Sequence, residues 1–169
     1  MVLPHGDAKM ERLWAPWRIE YIMNAKEDGC IFCNKLQQTD DRKNLILYRE
    51  KRTLVMLNKY PYTNGHLIVA PKRHMKSLED LEIEELHDLM ALIRRSVEIL
   101  KKGLSPDGLN IGANLGRAAG AGVEDHLHFH IVPRWLGDTN CMPVLADVRV
   151  LPEHLLETYD RLHQFFEDF

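Results

Sequence analysis

The stretch "EDHLHFHIVPRW", from Glu124 to Trp135, decides the fold, because it places three of the nine histidines of the chain at alternate positions. In a β-strand, side chains two residues apart point to the same face of the sheet. The pattern therefore predicts a strand with His126, His128 and His130 on one face and the apolar residues between them on the other. Pro133 is expected to end this strand, since proline has no N–H to donate to a ladder.

The segments around this stretch predict further strands. "NLILYRE" (44–50) and "TLVMLNK" (53–59) are separated by a charged turn, which is typical of a hairpin. "HLIVAPKRH" (66–74) predicts a third strand that stops at Pro71, and "GLNIGANL" (108–115) predicts a fourth. The histidine strand is then the fifth.

Two helices are predicted from apolar residues at helical spacing. The longer runs from Ile83 to Lys102 and is expected to end at Gly103. The other is a C-terminal helix opened by Pro152, and a further short helix is predicted within an N-terminal extension, residues 1–27. One long helix among strands joined by short connections predicts a single α+β domain spanning residues 1–169, with a mainly antiparallel five-stranded sheet.

The composition narrows the class of protein. The chain has 169 residues, 45% of them hydrophobic, with 22 basic against 25 acidic side chains, which argues against a nucleic-acid partner because such partners demand a strongly basic face. No apolar run approaches the roughly 18 residues of a membrane span, and the N-terminus lacks the apolar core of a signal peptide. We therefore expect a cytoplasmic protein with no membrane partner.

The histidine face admits three interpretations on its residues alone: hydrogen-bonded structural histidines, a catalytic zinc site, or a histidine nucleophile that attacks phosphorus. The preceding loop, "NIGANLGRAAGAG" (110–122), favours phosphoryl chemistry, because Gly120 and Gly122 let backbone N–H groups approach an anion. Arg117 is a candidate phosphate contact or an ordinary surface charge. Trp135 is a candidate for stacking on adenine or for packing at an interface.

A cysteine pair, Cys30 and Cys33 in "CIFC", has the spacing of two ligands of a tetrahedral zinc site. Such a site needs two further ligands, and a redox pair is the alternative. An odd count of three cysteines, with no export signal, argues against a disulfide framework.

The sequence resembles the histidine triad superfamily, whose His-φ-His-φ-His-φ-φ signature is similar to "HLHFHIV" (126–132). "GHLIVAPKRH" (65–74) resembles the strand that precedes the long helix of that family. "LWAPWRIEYI" (13–22) and "HIVPRWLGDTN" (130–140) resemble the bacterial branch related to diadenosine tetraphosphate phosphorylase, or ATP adenylyltransferase. The resemblance implies an α+β histidine triad fold, a homodimer, and a nucleotide hydrolase or transferase.

The resemblance also implies roles for individual residues. His128 would be the nucleophile that forms a nucleotidyl-histidine intermediate, and His130 would bind phosphoryl oxygens or bridge toward the leaving group. Asn58 matches a position that contacts ribose, and Asn114 one near the phosphate. Gly122 stands where many dinucleotide-hydrolysing relatives have glutamine, which leaves the second acceptor, phosphate or water, undecided.

The reaction implied is cleavage of a dinucleoside polyphosphate, diadenosine tetraphosphate, by inorganic phosphate to give ATP and ADP. Hydrolysis of the same substrate or of nucleoside phosphoramidates is the alternative within this chemistry. A nucleotide-binding partner protein with slow turnover is the alternative from another class.

For the cysteine pair, the resemblance implies a structural zinc held by Cys30, Cys33, His74 and His126, with His66 as the competing third ligand. Relatives that carry such a pair complete the site with an upstream histidine and the first histidine of the triad. His126 would then join the metal site to the catalytic residues, and no organic cofactor is expected.

Overall fold

The computed structural model describes residues 29–138 and 151–167. The helices and strands of these residues, in chain order, are α1 (Ile31–Leu36), α2 (Asp41–Asn44), β1 (Ile46–Arg49), β2 (Thr53–Leu57), β3 (Leu67–Pro71), α3 (Ile83–Leu104), β4 (Gly108–Gly112), β5 (Phe129–Arg134) and α4 (Leu155–Glu167). The helix predicted within residues 1–27 lies outside the described residues. None of the helices described is long and apolar enough to cross a membrane.

The five strands form one sheet in the order β1-β2-β3-β5-β4, with every neighbouring pair antiparallel. The α+β prediction is confirmed, and so is the hairpin of β1 and β2. β5 lies between β3 and β4, so that His130 pairs with Ile68 on one side and with Gly112 on the other. The histidine segment thus enters the sheet next to the third strand.

The two faces of the sheet carry different layers. Residues such as Val55, Val69 and Ile131 pack against α3 and α4 in the larger apolar cluster. On the opposite face, Ile68 belongs to a smaller cluster with Phe32 of α1. Since His130 and Ile68 are paired across the ladder, they share this second face. The long helices α3 and α4 therefore cover one face of the sheet, and the histidines lie on the opposite face with the short helix α1.

The long helix does not end at Gly103 as predicted. It continues to Leu104, and Ser105 adopts the left-handed conformation that ends it, with φ of 47°. A Cβ at Gly103 would lie 3.0 Å from Leu162 Cδ2, so this glycine permits close packing of α3 on α4 rather than a helix stop.

The limits of the histidine strand also differ from the prediction. The ladder begins at Phe129, so His130 lies in the strand while His126 and His128 precede it. Pro133 does not end the strand: it occupies a ladder position opposite Leu109, and the strand continues to Arg134. The C-terminal helix begins at Leu155 rather than at Pro152.

Candidate active site and metal-binding cluster

The three histidines lie side by side although only His130 is in the ladder. His126 and His128 are buried, with 1% and 6% of their surface exposed. The ring centroids of His128 and His130 are 4.9 Å apart. Phe32 of α1 packs against this row, with its ring centroid 4.8 Å from that of His126 and 5.2 Å from that of His128. The row is therefore packed against the short helix.

His128 has the tautomer of a nucleophile. Its Nδ1 lies 2.8 Å from the backbone oxygen of His126, and because a carbonyl oxygen only accepts, Nδ1 carries the proton and Nε2 the lone pair. Burial lowers the pKa of His128, although the hydrogen bond to the carbonyl opposes this in part. The ring is therefore neutral near pH 7, with a free electron pair on Nε2.

The hydrogen bonds of His130 give it the opposite tautomer. The backbone N–H of Tyr62 donates to Nδ1 of His66 over 3.1 Å, so the proton of this buried imidazole is on Nε2. That nitrogen is 3.0 Å from Nδ1 of His130, which must accept, and His130 therefore carries its own proton on Nε2. Burial, and to a smaller extent the neighbouring imidazoles, lowers the pKa of His66 to about 3 and that of His130 to about 4.

Four predicted metal ligands come together at the other end of the row. The ligand atoms of Cys30, Cys33, His74 and His126 all lie within 4.8 Å of one another. Nδ1 of His126 is 3.2 Å from Sγ of Cys30, and Nδ1 of His74 is 3.4 Å from Sγ of Cys33. In a tetrahedral zinc site, the sulfur and nitrogen ligands are separated by about 3.5 Å. The four side chains therefore fit a zinc ion.

Two further observations favour a cation in this cluster. Nε2 of His126 donates to the carbonyl of Pro71 over 2.9 Å, which leaves the lone pair on Nδ1, facing the cysteines. Burial, followed by the neighbouring Cys30, raises the pKa of the Cys33 thiol, and a divalent cation would remove the cost of placing two thiolates together. His66, the competing ligand, contacts His130 instead.

The predicted substrate contacts differ in how close they come to the histidines. Asn58 is close: its Nδ2 lies 3.3 Å from Nδ1 of His66, and its Oδ1 accepts the N–H of Tyr60. Asn114 lies two residues after Gly112, the last residue of β4, which pairs with His130. Because the two strands are antiparallel, this direction leads towards His128. Asn114 is half-buried.

None of the described contacts joins Gly120, Gly122 or Arg117 to the histidines. Gly120 adopts φ of +87° and a Cβ at Gly120 or Gly122 would meet open space, so the loop backbone is accessible. Arg117 is ion-paired with Glu124 over 2.9 Å. Trp135 follows β5 and lies roughly 16 Å along the strand direction from His130, at about 3.3 Å per residue. The described contacts do not join Trp135 to the histidines of this chain.

Three residues at the site were not assigned these roles from the sequence: Phe32 beneath the row, Tyr62, and His66 as the partner of His130. Phe32 had a usable signal, since it is the apolar residue inside the cysteine motif. The ring of Tyr62 lies 4.7 Å from that of His66 and 6.1 Å from that of His130, a contact that no local pattern indicates.

Comparisons with known proteins identify the family and the fold of the chain. The family model described as the HIT domain matches residues 39–135. The chain is 37% identical over 158 residues to AP-4-A phosphorylase of Mycobacterium tuberculosis, covering 89% of this chain and 81% of that relative. It is 37% identical over 93 residues to the asymmetrical bis(5'-nucleosyl)-tetraphosphatase of Schizosaccharomyces pombe, covering 55% and 50%. Among solved structures, a Zn-bound histidine triad family protein from Mycobacterium smegmatis has a TM-score of 0.65 at 30% identity, covering 83% of this chain and 94% of that one.

Proposed function

The chain belongs to the HIT domain family, as its histidine pattern predicted, and from that premise we propose that it cleaves dinucleoside polyphosphates through a nucleotidyl intermediate on His128. The substrate we propose is diadenosine tetraphosphate, and the acceptor is inorganic phosphate. Nε2 of His128 attacks the α-phosphorus and ATP leaves. Phosphate then attacks the phosphorus of the adenylyl-histidine, which yields ADP and restores the neutral imidazole.

The observation that carries this proposal is the opposite protonation of the two neighbouring rings. A lone pair on Nε2 of His128 can attack phosphorus, and the N–H on Nε2 of His130 can donate to a phosphoryl oxygen that gains charge in the transition state. Both nitrogens have the required protonation before the substrate binds. ATP is a weak base and leaves without a strong general acid.

The choice of acceptor rests on the relatives. The similarity to AP-4-A phosphorylase covers most of both chains, and Gly122, where an added Cβ would meet open space, has no side chain to exclude a phosphate ion. The similarity to the tetraphosphatase favours a second candidate function, in which water replaces phosphate and the products are AMP and ATP.

The test is to incubate the purified protein with diadenosine tetraphosphate, with and without inorganic phosphate, and to identify the products by chromatography. We expect ATP and ADP only when phosphate is present, and no products from the His128→Ala variant. AMP and ATP in the absence of phosphate would replace the phosphorylase with the hydrolase. Full activity of His128→Ala would exclude His128 as the nucleophile.

We also propose that the cluster of Cys30, Cys33, His74 and His126 holds a structural zinc ion. Four protein ligands close the coordination sphere, which is the arrangement of structural rather than catalytic zinc. The ion would tie α1, and with it Phe32, to the segment that precedes β5. His128 is not among the four ligands and keeps its lone pair for the substrate.

The homodimer implied by the resemblance is part of the proposal. β4 is one of the two edge strands of the described sheet, next to the histidine strand β5, and such an edge offers backbone groups to a second copy. Light scattering of the purified protein tests this, and a monomeric mass at micromolar concentration would exclude it.

A further inference from the structure

Residues 126–128, which include the proposed nucleophile, lie just outside the ladder of the sheet. The strand β5 and its pairing with β3 both begin at Phe129, so strand pairing does not fix the residues before it. Because β3 and β5 are antiparallel, this segment runs beside the loop 71–75, which begins at the last residue of β3. The position of the segment therefore depends on this loop.

The loop 71–75 holds the segment through two backbone carbonyls. The carbonyl of Pro71 accepts from Nε2 of His126 over 2.9 Å, and the carbonyl of Met75 accepts the backbone N–H of Leu127 over 2.6 Å. Met75 and Leu127 are both buried. The carbonyl of His126 in turn accepts from Nδ1 of His128. The orientation of the nucleophile therefore depends on where the loop places two carbonyl oxygens.

An arginine in the middle of this loop joins it to the first turn of α3. Arg73 donates from Nε to Oε1 of Glu85 over 2.8 Å and from Nη2 to Oε2 over 2.5 Å, and Nη2 also donates to the carbonyl of Asp80 over 2.8 Å. Glu85 has only 6% of its surface exposed, and it also accepts the backbone N–H of Glu82. The carboxylate is thus fixed to the helix, and a bidentate pair with it fixes direction as well as distance.

We propose that Arg73 and Glu85 are positioning residues for the nucleophile. Their ion pair holds the loop 71–75 against α3, and the loop holds His128 through the two residues before it. This inference rests on the proposed cleavage at His128. Without the pair, the loop carbonyls would shift, and the imidazole of His128 would present the lone pair of Nε2 to phosphorus for a smaller share of the time.

The test uses Arg73→Met, which removes the guanidinium but keeps an apolar stem. The loss of a hydrogen bond to a charged group should speed the hydrogen exchange of the Leu127 amide roughly ten-fold. A displacement of about 1 Å at a reacting group can cost about 100-fold in rate. The loop keeps a second anchor, from the N–H of Lys72 to the carbonyl of Arg52, so we expect kcat on diadenosine tetraphosphate to fall roughly ten-fold, with KM little changed. Long-range proton–nitrogen NMR spectra should show Nδ1 of His128 losing part of its proton to Nε2.

Arg42→Met is the matched control. Arg42 also forms a bidentate pair, with Asp160 over 2.9 and 2.8 Å, and this pair joins α2 to α4 with no described contact to the histidines. The control should change neither kcat, nor the exchange of Leu127, nor the spectrum of His128. An equal loss of kcat in the two variants would overturn the proposal, because it would mean that any such pair affects activity through stability alone.

The remaining outcomes separate positioning from other roles of the loop. Unchanged exchange of Leu127, or faster exchange with an unchanged kcat, would overturn the proposal. His74 lies in the same loop, so kinetics are repeated with added zinc chloride; a kcat restored by zinc would mean that the pair acts through the metal-binding cluster, which also overturns it. If Arg73→Met does not fold, Arg73→Lys replaces it. A single ammonium cannot make the same bidentate pair, so smaller changes of the same kind are expected, and wild-type behaviour would overturn the proposal.

The proposed function and the positioning role can fail separately. A wild-type protein that does not cleave diadenosine tetraphosphate would overturn the proposed function. The exchange of Leu127 and the spectrum of His128 would still decide whether the pair of Arg73 and Glu85 holds the segment, because neither measurement requires turnover.

Discussion

Replacing His66 tests whether hydrogen bonds set the protonation of His130. In His66→Asn, the side-chain oxygen takes the position of Nδ1 and still accepts the N–H of Tyr62, but nothing replaces Nε2, the donor to His130. In His66→Gln, the amide nitrogen takes the position of Nε2 and can donate to His130. The two variants thus remove different halves of the same chain of hydrogen bonds.

The expected magnitude follows from the one bond that each variant changes. Without a donor at Nδ1, His130 can carry its proton there, and its Nε2 lone pair then faces the phosphoryl oxygens. The loss of one such preorganised donor costs about 100- to 1,000-fold in kcat. We expect a loss of this size in His66→Asn and a loss within about ten-fold in His66→Gln, because the phosphoryl oxygen selects the amide orientation that keeps the proton on Nε2 of His130.

The assay is steady-state kinetics on diadenosine tetraphosphate with phosphate, together with long-range proton–nitrogen NMR spectra that identify the protonated nitrogen of each imidazole. His87→Asn is the matched control, because His87 is exposed on α3 and should change neither result. The reasoning would be refuted by a wild-type kcat in His66→Asn, or by spectra that place the proton of His130 on Nδ1 in the wild-type protein.

Three further predictions concern the metal, pH and backbone. Removing zinc with a chelator should lower Tm, with activity lost only as the protein unfolds; immediate loss of activity at an unchanged Tm would instead indicate a catalytic metal. Burial depresses the pKa of His66 to about 3 and of His130 to about 4, so the unfolded chain takes up protons below about pH 6.5 before the folded chain does. Urea unfolding should therefore show a free energy of unfolding that is complete above that pH and falls below it by up to about 1.4 kcal/mol per pH unit for each ring. A free energy of unfolding independent of pH between about 4.5 and 6.5 would contradict the depressed pKa values of the two rings. Gly65→Ala should destabilise the fold by about 2 kcal/mol, since Gly65 has φ of +72° and a Cβ there would lie 2.2 Å from Leu104 Cδ1. Gly108→Ala, with no neighbour within 4 Å of the added Cβ, should stay within about 0.5 kcal/mol, and equal effects of the two substitutions would count against the steric argument.

The features that the sequence predicted well are those with a local cause. Two apolar runs separated by a charged turn indicated the hairpin of β1 and β2. Alternation of histidines with apolar residues indicated that the histidines lie side by side, because a period of two is a property of the strand itself. The four ligands of the metal-binding cluster also came together as expected, although only the spacing of Cys30 and Cys33 is local, and His74 and His126 were assigned through the resemblance.

The features that the sequence did not predict depend on packing between distant segments. His66 meets His130 across 64 residues of chain, and this contact requires that β5 insert between β3 and β4, which no local pattern determines. Gly103 shows the same limit: glycine commonly follows the end of a helix, but here the approach of Leu162 requires it within the helix.

The chemical difference between the three histidines of the motif comes from the backbone. The carbonyl of Pro71 accepts from Nε2 of His126 and leaves the lone pair on its Nδ1, facing the cysteines. The carbonyl of His126 accepts from Nδ1 of His128 and leaves the lone pair on its Nε2. The N–H of Tyr62 orders His66, which leaves His130 with a proton to donate. In the proposed function, three identical side chains at alternate positions would thereby serve as a metal ligand, a nucleophile and a hydrogen-bond donor. A backbone shift at Pro71, His126 or Tyr62 should therefore impair one of these functions while the histidine in question remains in place.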